Sequence, residues 1–477
     1  MTAAVAAKLR RLLPDESGQI VPTVALIMVA LFGFTGMVID IGHLYVCYNE
    51  LQASSNAAAL AGAQALPGSS AVTVATNYSA VSGNLNAHAN LPGVSMVSGY
   101  PQVRCLTALT NQSIPCVSPA NGNAIFVKQQ AVVSTYFARL FGLASVNMVA
   151  SAAAAMRGGV TPPHNVVVIV DTTASMNDTD SSSDCNNTRL SCALSGVRTL
   201  LDELWPCASS QSTCGTASNG NVPNPVDVVS LFAFPNVTQS TVIYDSNCSG
   251  RNPTAQGYTF PAAGASSYSP GGSTATYRIV NFSSDYRVSD TASTLNLLSM
   301  LTKASGGESG CPGMGAPGGE GTYVAGAVYA AQAALLAEQA ANPGSRNVII
   351  LLSDGDVSAR SSAMPGASTT SGTYPSTINQ CHQAVTAAQA ATAAGTTVYT
   401  VAYGAQSSGC STDKIAITPC QTMQQSASSA ATFFSDYAAS GGSSCISSAR
   451  PTTSLNQIFT EIGGDFTTSR LIPNNLQ

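Results

Sequence analysis

Apolar residues run without a charge from Ile20 to Ile39. A helix rises about 1.5 Å per residue, so a stretch of that length crosses roughly 30 Å of hydrocarbon and predicts a membrane span, placed over 20–46 with its flank. Beyond it the pattern turns Ala-rich and amphipathic through "LYVCYNELQASSNAAALAGAQAL", and the same helix is expected to continue to about Leu66. Over 67–159 the pattern is that of a small α+β domain. "GVSMVSG" and "NAIFVKQQAVV" read as extended, "STYFARLFGLA" as a helix and "VNMVASAAAA" as a strand. "RGGVTPPH" then punctuates the chain with Gly and Pro, which marks a boundary.

From 165 to about 470 the type alternates. "NVVVIV", "VDVVSLFAF", "NVIILL" and "TTVYTVAY" read as buried strands. "NNTRLSCALSGVRTLLDELW", "TLNLLSMLTKA", "YVAGAVYAAQAALLAEQA", "TINQCHQAVTAAQAATAA" and "TSLNQIFTEIGGDF" carry helical spacing. Apolar strands alternating with helices predict an α/β domain built on a mostly parallel sheet covered on both faces. The Ser/Gly/Pro-rich stretches between these elements read as surface loops, not as further domains.

Charge adds direction. Lys8, Arg10 and Arg11 precede the span and the next basic residue after it is Arg104, so residues 1–19 are expected in the cytoplasm and the bulk of the chain outside. A cleaved signal peptide would have a shorter apolar core and a break after it. Charged residues make up only 9 % of the chain and the net charge is −5, which gives no basic field for nucleic acid. Cysteines agree with export: of 13, Cys47 lies at the membrane edge and the rest fall beyond it, an even set as disulfides require. Cys105 with Cys116, Cys185 with Cys192 and Cys207 with Cys214 are close neighbours. Cys381 and Cys410 both fall at the carboxyl edge of the sheet and are expected to pair, as are Cys420 with Cys445 and Cys248 with Cys311.

Candidate chemistry gathers at that same edge, where open α/β sheets bind ligands. "VVVIVDTTASM" places Asp171, Thr173 and Ser175 on alternate positions after a buried strand. "GGEGTYVAGAVYAA" places Thr322 at the start of a helix, and "NVIILLSDGD" places Asp354 just past another strand. Two carboxylates and three hydroxyls on three loops are hard oxygen donors, suited to Mg²⁺, Ca²⁺ or Mn²⁺ and poor for zinc or copper. The plainer use of the first loop is a turn or a helix N-cap.

The D-x-T-x-S of the first loop, the later G-T and the strand-borne S-D-G resemble the metal-ion-dependent adhesion site of von Willebrand factor type A domains, usually D-x-S-x-S. Thr173 replaces the first Ser and keeps a hydroxyl. That resemblance covers 165–470 and implies a Rossmann-like fold. It also implies a divalent cation held by Asp171, Thr173, Ser175, Thr322 and Asp354, with an open position that a partner's carboxylate fills. A second resemblance covers the first 160 residues. "SGQIVPTVALIMVALFGFTGMVIDIGHLYVCYNELQASSNAAALAGAQAL" is similar to the N-terminal segment of TadG-like proteins of Flp (tight adherence) pilus assembly, which implies a bacterial inner-membrane location and envelope partners. Such proteins often carry a type A domain behind this segment. Thr23 stands where a prepilin cleavage pattern has Glu, so processing of that kind is not implied.

Other motifs are weaker. Asp40, near the outer end of the span, is either a buried functional carboxylate or an interfacial group reaching water. Asp178, Asp180, Ser182 and Asp184 alternate as in a calcium loop, but the sixth-place Gly is missing and Arg189 stands at the twelfth place. The glycine run before Thr322 lacks the Gly-Lys-Ser/Thr of a phosphate loop, and no histidine has a nucleophile at a recognisable spacing. The expectation is a membrane-anchored, non-enzymatic adhesion or scaffold component of Flp pilus assembly that grips a partner protein through the ion, with no nucleotide. A surface adhesin unconnected with pilus building is the alternative, and an exported hydrolase is a third reading without a nameable general base.

Overall fold

The structure, a computed structural model, describes residues 20–66, 68–110, 114, 116, 120–156, 162–180, 182, 184–208, 211–246, 248, 253–270, 274–290, 292–440, 444–466 and 469–472. The basic tail expected over 1–19 lies outside them, as does most of the Gly/Pro boundary stretch. The chain forms two compact units, Met1–Gly159 with Thr468–Gln477, and Val160–Thr467.

In the first unit a single helix, α1, runs unbroken over Ile20–Gln64. Pro22 is tolerated because it falls in the first turn, where no intrahelical N–H bond is lost. The helix is apolar and long enough to cross a membrane, and the side chains of Val21, Leu26, Val29, Phe32, Phe34 and Val38 are exposed along it. From Cys47 onward its character changes. Leu51, Ala58, Ala59 and Ala63 are buried against an antiparallel sheet, next to the short helix α2 (Ala71–Asn77). The sheet comprises β1 (Ser95–Met96), β2 (Gln102–Arg104), β3 (Ala124–Ser134), β4 (Ser145–Ala155) and, after the second unit, β11 (Arg470–Leu471). β3 and β4 pair along their full length, from Ala124↔Ala155 to Ser134↔Ser145.

Gln129, buried on β3, ties the layers together. Its side-chain oxygen accepts from Ala80 N–H at 2.8 Å and its amide donates to the Ser55 hydroxyl at 3.1 Å. "STYFARLFGLA" is not the expected helix. It supplies the end of β3, the turn to β4 and one 3₁₀ turn, Ala138–Phe141. Asp40 of α1 holds that turn: its carboxylate accepts from the backbone N–H groups of Tyr136 at 2.7 Å, Phe137 at 3.0 Å and Ala138 at 2.5 Å.

The second unit is a six-stranded sheet with helices on both faces, a mixed α/β arrangement. Its elements are β5 (His164–Asp171), α3 (Arg189–Glu203), β6 (Val228–Thr238), β7 (Ala275–Ser283), α4 (Ala325–Ala341), β8 (Arg346–Ser353), α5 (Gln380–Ala393), β9 (Thr397–Tyr403), α6 (Pro419–Ser426), β10 (Phe433–Asp436) and α7 (Leu455–Asp465). The strand order is β10-β9-β8-β5-β6-β7, parallel throughout except for the β6–β7 pair. Alternate residues of β5 feed two cores, as a strand covered on both faces requires. Val167 and Ile169 pack with α4 and α5, while Val166, Val168 and Val170 pack with α3 and α7. "TLNLLSMLTKA" is helical only over Met300–Ala304. Asn296 explains the loss, since its side chain accepts from Leu298 N–H and donates to the Asp285 carbonyl, fixing a turn there.

The expected disulfides all form: Cys105–Cys116, Cys185–Cys192, Cys207–Cys214, Cys248–Cys311, Cys381–Cys410 and Cys420–Cys445. Cys47 is free and buried.

Candidate functional site

Strand order reverses between β5 and β8, which lie side by side and lead away to opposite edges. At such a switch point the loops leaving the two strands diverge and open a crevice at their carboxyl ends. Asp171 ends β5 and Ser353 ends β8, so the Asp171 loop and the Asp354 loop both start at this crevice.

Asp171 is fully buried. One carboxylate oxygen, Oδ1, accepts from the Thr173 N–H at 2.9 Å and the Thr173 hydroxyl at 2.6 Å. The other, Oδ2, accepts from the Ser353 hydroxyl at 2.9 Å. The Thr173 and Ser175 oxygens lie 3.2 Å apart, at the start of a 3₁₀ turn over Ala174–Asn177. On the second loop Asp356 N–H donates to Asp354 Oδ1 at 3.2 Å. Gly355 between them has φ +80°, and a Cβ there would stand 2.4 Å from the Pro419 carbonyl oxygen, so no other residue fits the turn.

Thr322 is buried in the loop three residues ahead of α4. Two contacts hold this loop to the first one. Asn177 donates to the Ala316 carbonyl at 3.1 Å, and Gly318 packs so closely on Ala174 that a Cβ would lie 3.0 Å from the Ala174 Cβ. Tyr258 brackets Thr322 itself: its hydroxyl donates to the Gly321 carbonyl at 2.5 Å and accepts from Tyr323 N–H at 3.1 Å. Asp171 also acts electrostatically on Tyr258, adding to the burial that pushes the phenol up.

Both carboxylates are electrostatically perturbed. Burial pushes the Asp171 carboxyl above its ordinary range, against the hydrogen bonds from Thr173 and Ser353. Burial, and then the charge of Asp171, push Asp354 up to about 7. The charge of Asp171 thus disfavours ionisation of Asp354. Among the described residues neither forms an ion pair, although Arg189 draws Asp354 slightly the other way. No group of three or more His, Cys, Asp or Glu side chains is placed for a metal among the described residues, so the donor set consists of two carboxylates and neighbouring hydroxyls. Those residues fit a hard divalent cation, whose charge would remove the repulsion.

Sequence reading missed Ser353 and Tyr258. Ser353 stands in the quoted "SDGD" stretch, where a hydroxyl one residue before the Asp was the available signal. Tyr258 sits in a Ser/Gly/Pro-rich insertion with no pattern to mark it. Asp180, read as an unpromising calcium ligand, is buried and accepts from the Tyr403 hydroxyl and from Ser182 N–H.

Residues 18–65 match the family of Flp pilus-assembly TadE/G-like proteins, Tad. No curated protein matches the chain. Among solved structures, a crystal form of the pilus adhesin SpaC from Lactobacillus rhamnosus GG is similar at 13 % identity and a TM-score of 0.36, over 80 % of this chain and 35 % of that one. The open conformation of SpaC gives 14 % and 0.34, over 72 % and 32 %. The conserved hypothetical protein BatB from Bacteroides thetaiotaomicron gives 14 % and 0.30, over 63 % and 98 %. The chain spans about a third of the length of SpaC.

Proposed function

We propose that this chain, which carries a Tad-type pilus-assembly segment at residues 18–65 and an apolar N-terminal helix consistent with a single-pass anchor, is a bacterial inner-membrane component of Flp pilus assembly. Its α/β unit, read as a Rossmann-like von Willebrand type A domain, grips another envelope protein from the side of the membrane opposite the N-terminus. Asp171, Thr173, Ser175, Thr322 and Asp354 would hold a divalent cation, Mg²⁺, Ca²⁺ or Mn²⁺. When bound, that ion supplies a positive centre with room for a carboxylate of the partner. The chain's own residues do the positioning. Ser353 and Thr173 fix the Asp171 carboxylate, Gly355 sets the turn that presents Asp354, and Tyr258 holds the backbone on either side of Thr322. No catalytic step is assigned.

One observation carries this reading: the charge of the fully buried Asp171 reaches Asp354 and raises its carboxyl, and neither carboxylate forms an ion pair among the described residues. A pair of this kind costs stability unless a cation offsets it. Calorimetric titration of the full chain in detergent with each ion tests it. Asp171→Ala is expected to abolish ion affinity and leave the fold intact, because hydroxyls alone cannot neutralise a dication. Ser175→Ala and Thr322→Ala should weaken the ion by smaller steps, and Thr173→Ser should be tolerated. A turn or cap would behave otherwise: its loss costs about 1 kcal/mol of stability. Equal ion affinity in wild type and Asp171→Ala, with a lower melting temperature in the variant, would sink the metal reading.

A further inference from the structure

The turn between β3 and β4 carries a surface that the pilus reading does not use. Leu140 is 77 % and Phe141 84 % exposed, and Tyr136, Phe137 and Leu143 are exposed beside them. These residues do not stand free of α1. The Asp40 carboxylate takes the turn's N–H groups, and Gly36 lies so close to Phe137 that a Cβ would stand 2.8 Å from its ring. Leu140, Phe141 and Leu143 line one apolar groove with Val29, Phe32 and Met37 of α1. From Asp40 back to Phe32 is about 12 Å along a helix. The turn therefore lies beside residues that the span keeps in hydrocarbon.

We propose that the β3–β4 turn, Tyr136–Leu143, is a second membrane contact, an apolar hairpin tip that dips into the leaflet where α1 ends. Its occupant is lipid, because the apolar surface of the tip is continuous with the exposed apolar surface of α1. Irregular backbone is tolerated at that depth only when its polar groups are satisfied, and Asp40 satisfies three N–H groups of the turn. Arg139, exposed between the apolar residues, has the reach to place its guanidinium among the phosphates. Tyr136 stacks obliquely on His43 at 4.7 Å, and a Tyr suits the headgroup level. Asp40 thus acts as a tether that sets the depth of the tip, which answers the alternative left open by the sequence.

Tryptophan quenching in vesicles tests this on the full chain. The single Trp, Trp205, belongs to the second unit and is replaced in Trp205→Phe; should that variant fold poorly, the probes are read as difference spectra against wild type. Phe32→Trp, Phe141→Trp and Leu85→Trp are each reconstituted into phosphatidylethanolamine–phosphatidylglycerol vesicles with brominated acyl chains. Leu85 is the aqueous reference, on an exposed loop of the same unit. Phe141→Trp should be quenched about as strongly as Phe32→Trp and several-fold more than Leu85→Trp. Adding Asp40→Ala should bring position 141 toward the Leu85 value while position 32 stays quenched. Quenching at 32 with none at 141 would overturn the proposal and leave the anchor standing. No quenching at either would remove both, and neither result bears on the ion titration. Full quenching at 141 in Asp40→Ala would overturn the tether.

Discussion

Asp436, the last residue of β10, shows how strongly the second unit's buried carboxylates are perturbed. Its carboxyl is pushed up to about 7, first by burial and then by the charge of Asp180, with Asp184 adding to it and the N–H groups of Ala438 and Ala439 opposing. In the unfolded chain the same group titrates near 3.9, so between about pH 4 and pH 7 the folded state binds more protons and stability falls as pH rises. Asp436→Asn removes that slope. Thermal melts of the full chain in chelator should show the variant above wild type at pH 8 and close to it at pH 4; the same difference at both pH values would contradict the assignment. At this scale the first loop of the candidate site was legible because Asp171, Thr173 and Ser175 recur on alternate positions after an apolar strand. Tyr258 was not legible, since its place beside Thr322 comes from a loop that returns across the sheet edge and leaves no local periodicity.

Helices α3 and α7 cover one face of the sheet and meet through missing side chains. A Cβ on Gly196 would lie 2.3 Å from the Phe459 ring, and one on Gly463 2.5 Å from the Glu203 Cβ. Gly196→Ala gains up to about 1 kcal/mol of helix propensity, but overpacking against a buried ring costs about 1–3 kcal/mol. Denaturant unfolding should find the variant less stable; a gain would mean that Phe459 moves aside freely. Elements with strong periodicity, such as α3, α4, β5 and β8, could be read from the chain. Others could not. The Tyr136, Phe137, Leu140 and Phe141 spacing imitates a helix, yet the residues are apolar at the tip of a turn. β7 hides inside a Ser/Gly/Pro-rich insertion, and β10 spans only Phe433–Asp436, too short a run to show alternation.

At the scale of the whole chain, the charge asymmetry about α1 makes a topological prediction. Lys8, Arg10 and Arg11 all precede the span, so a reporter active only in the periplasm should work when fused at residue 160, and one active only in the cytoplasm should fail. The opposite pair of results would invert the orientation. The three close cysteine pairs were legible from their short separations and Cys381–Cys410 from a shared sheet edge, whereas Cys248–Cys311 and Cys420–Cys445 had no local signal of that kind. Connectivity between the units was less legible. The return of β11 to β4, Arg470↔Ala155 and Leu471↔Ala154, rests on two residues with no signal of their own. That return has a mechanical consequence. Tension on the second unit reaches the first along two strands that lie side by side, through the end of β4 and the start of β11. The β11 pair is loaded from its open end and peels one hydrogen bond at a time, whereas β4 remains linked covalently through β3 toward α1. Loss of the short strand would therefore leave the covalent path from the second unit to α1 intact.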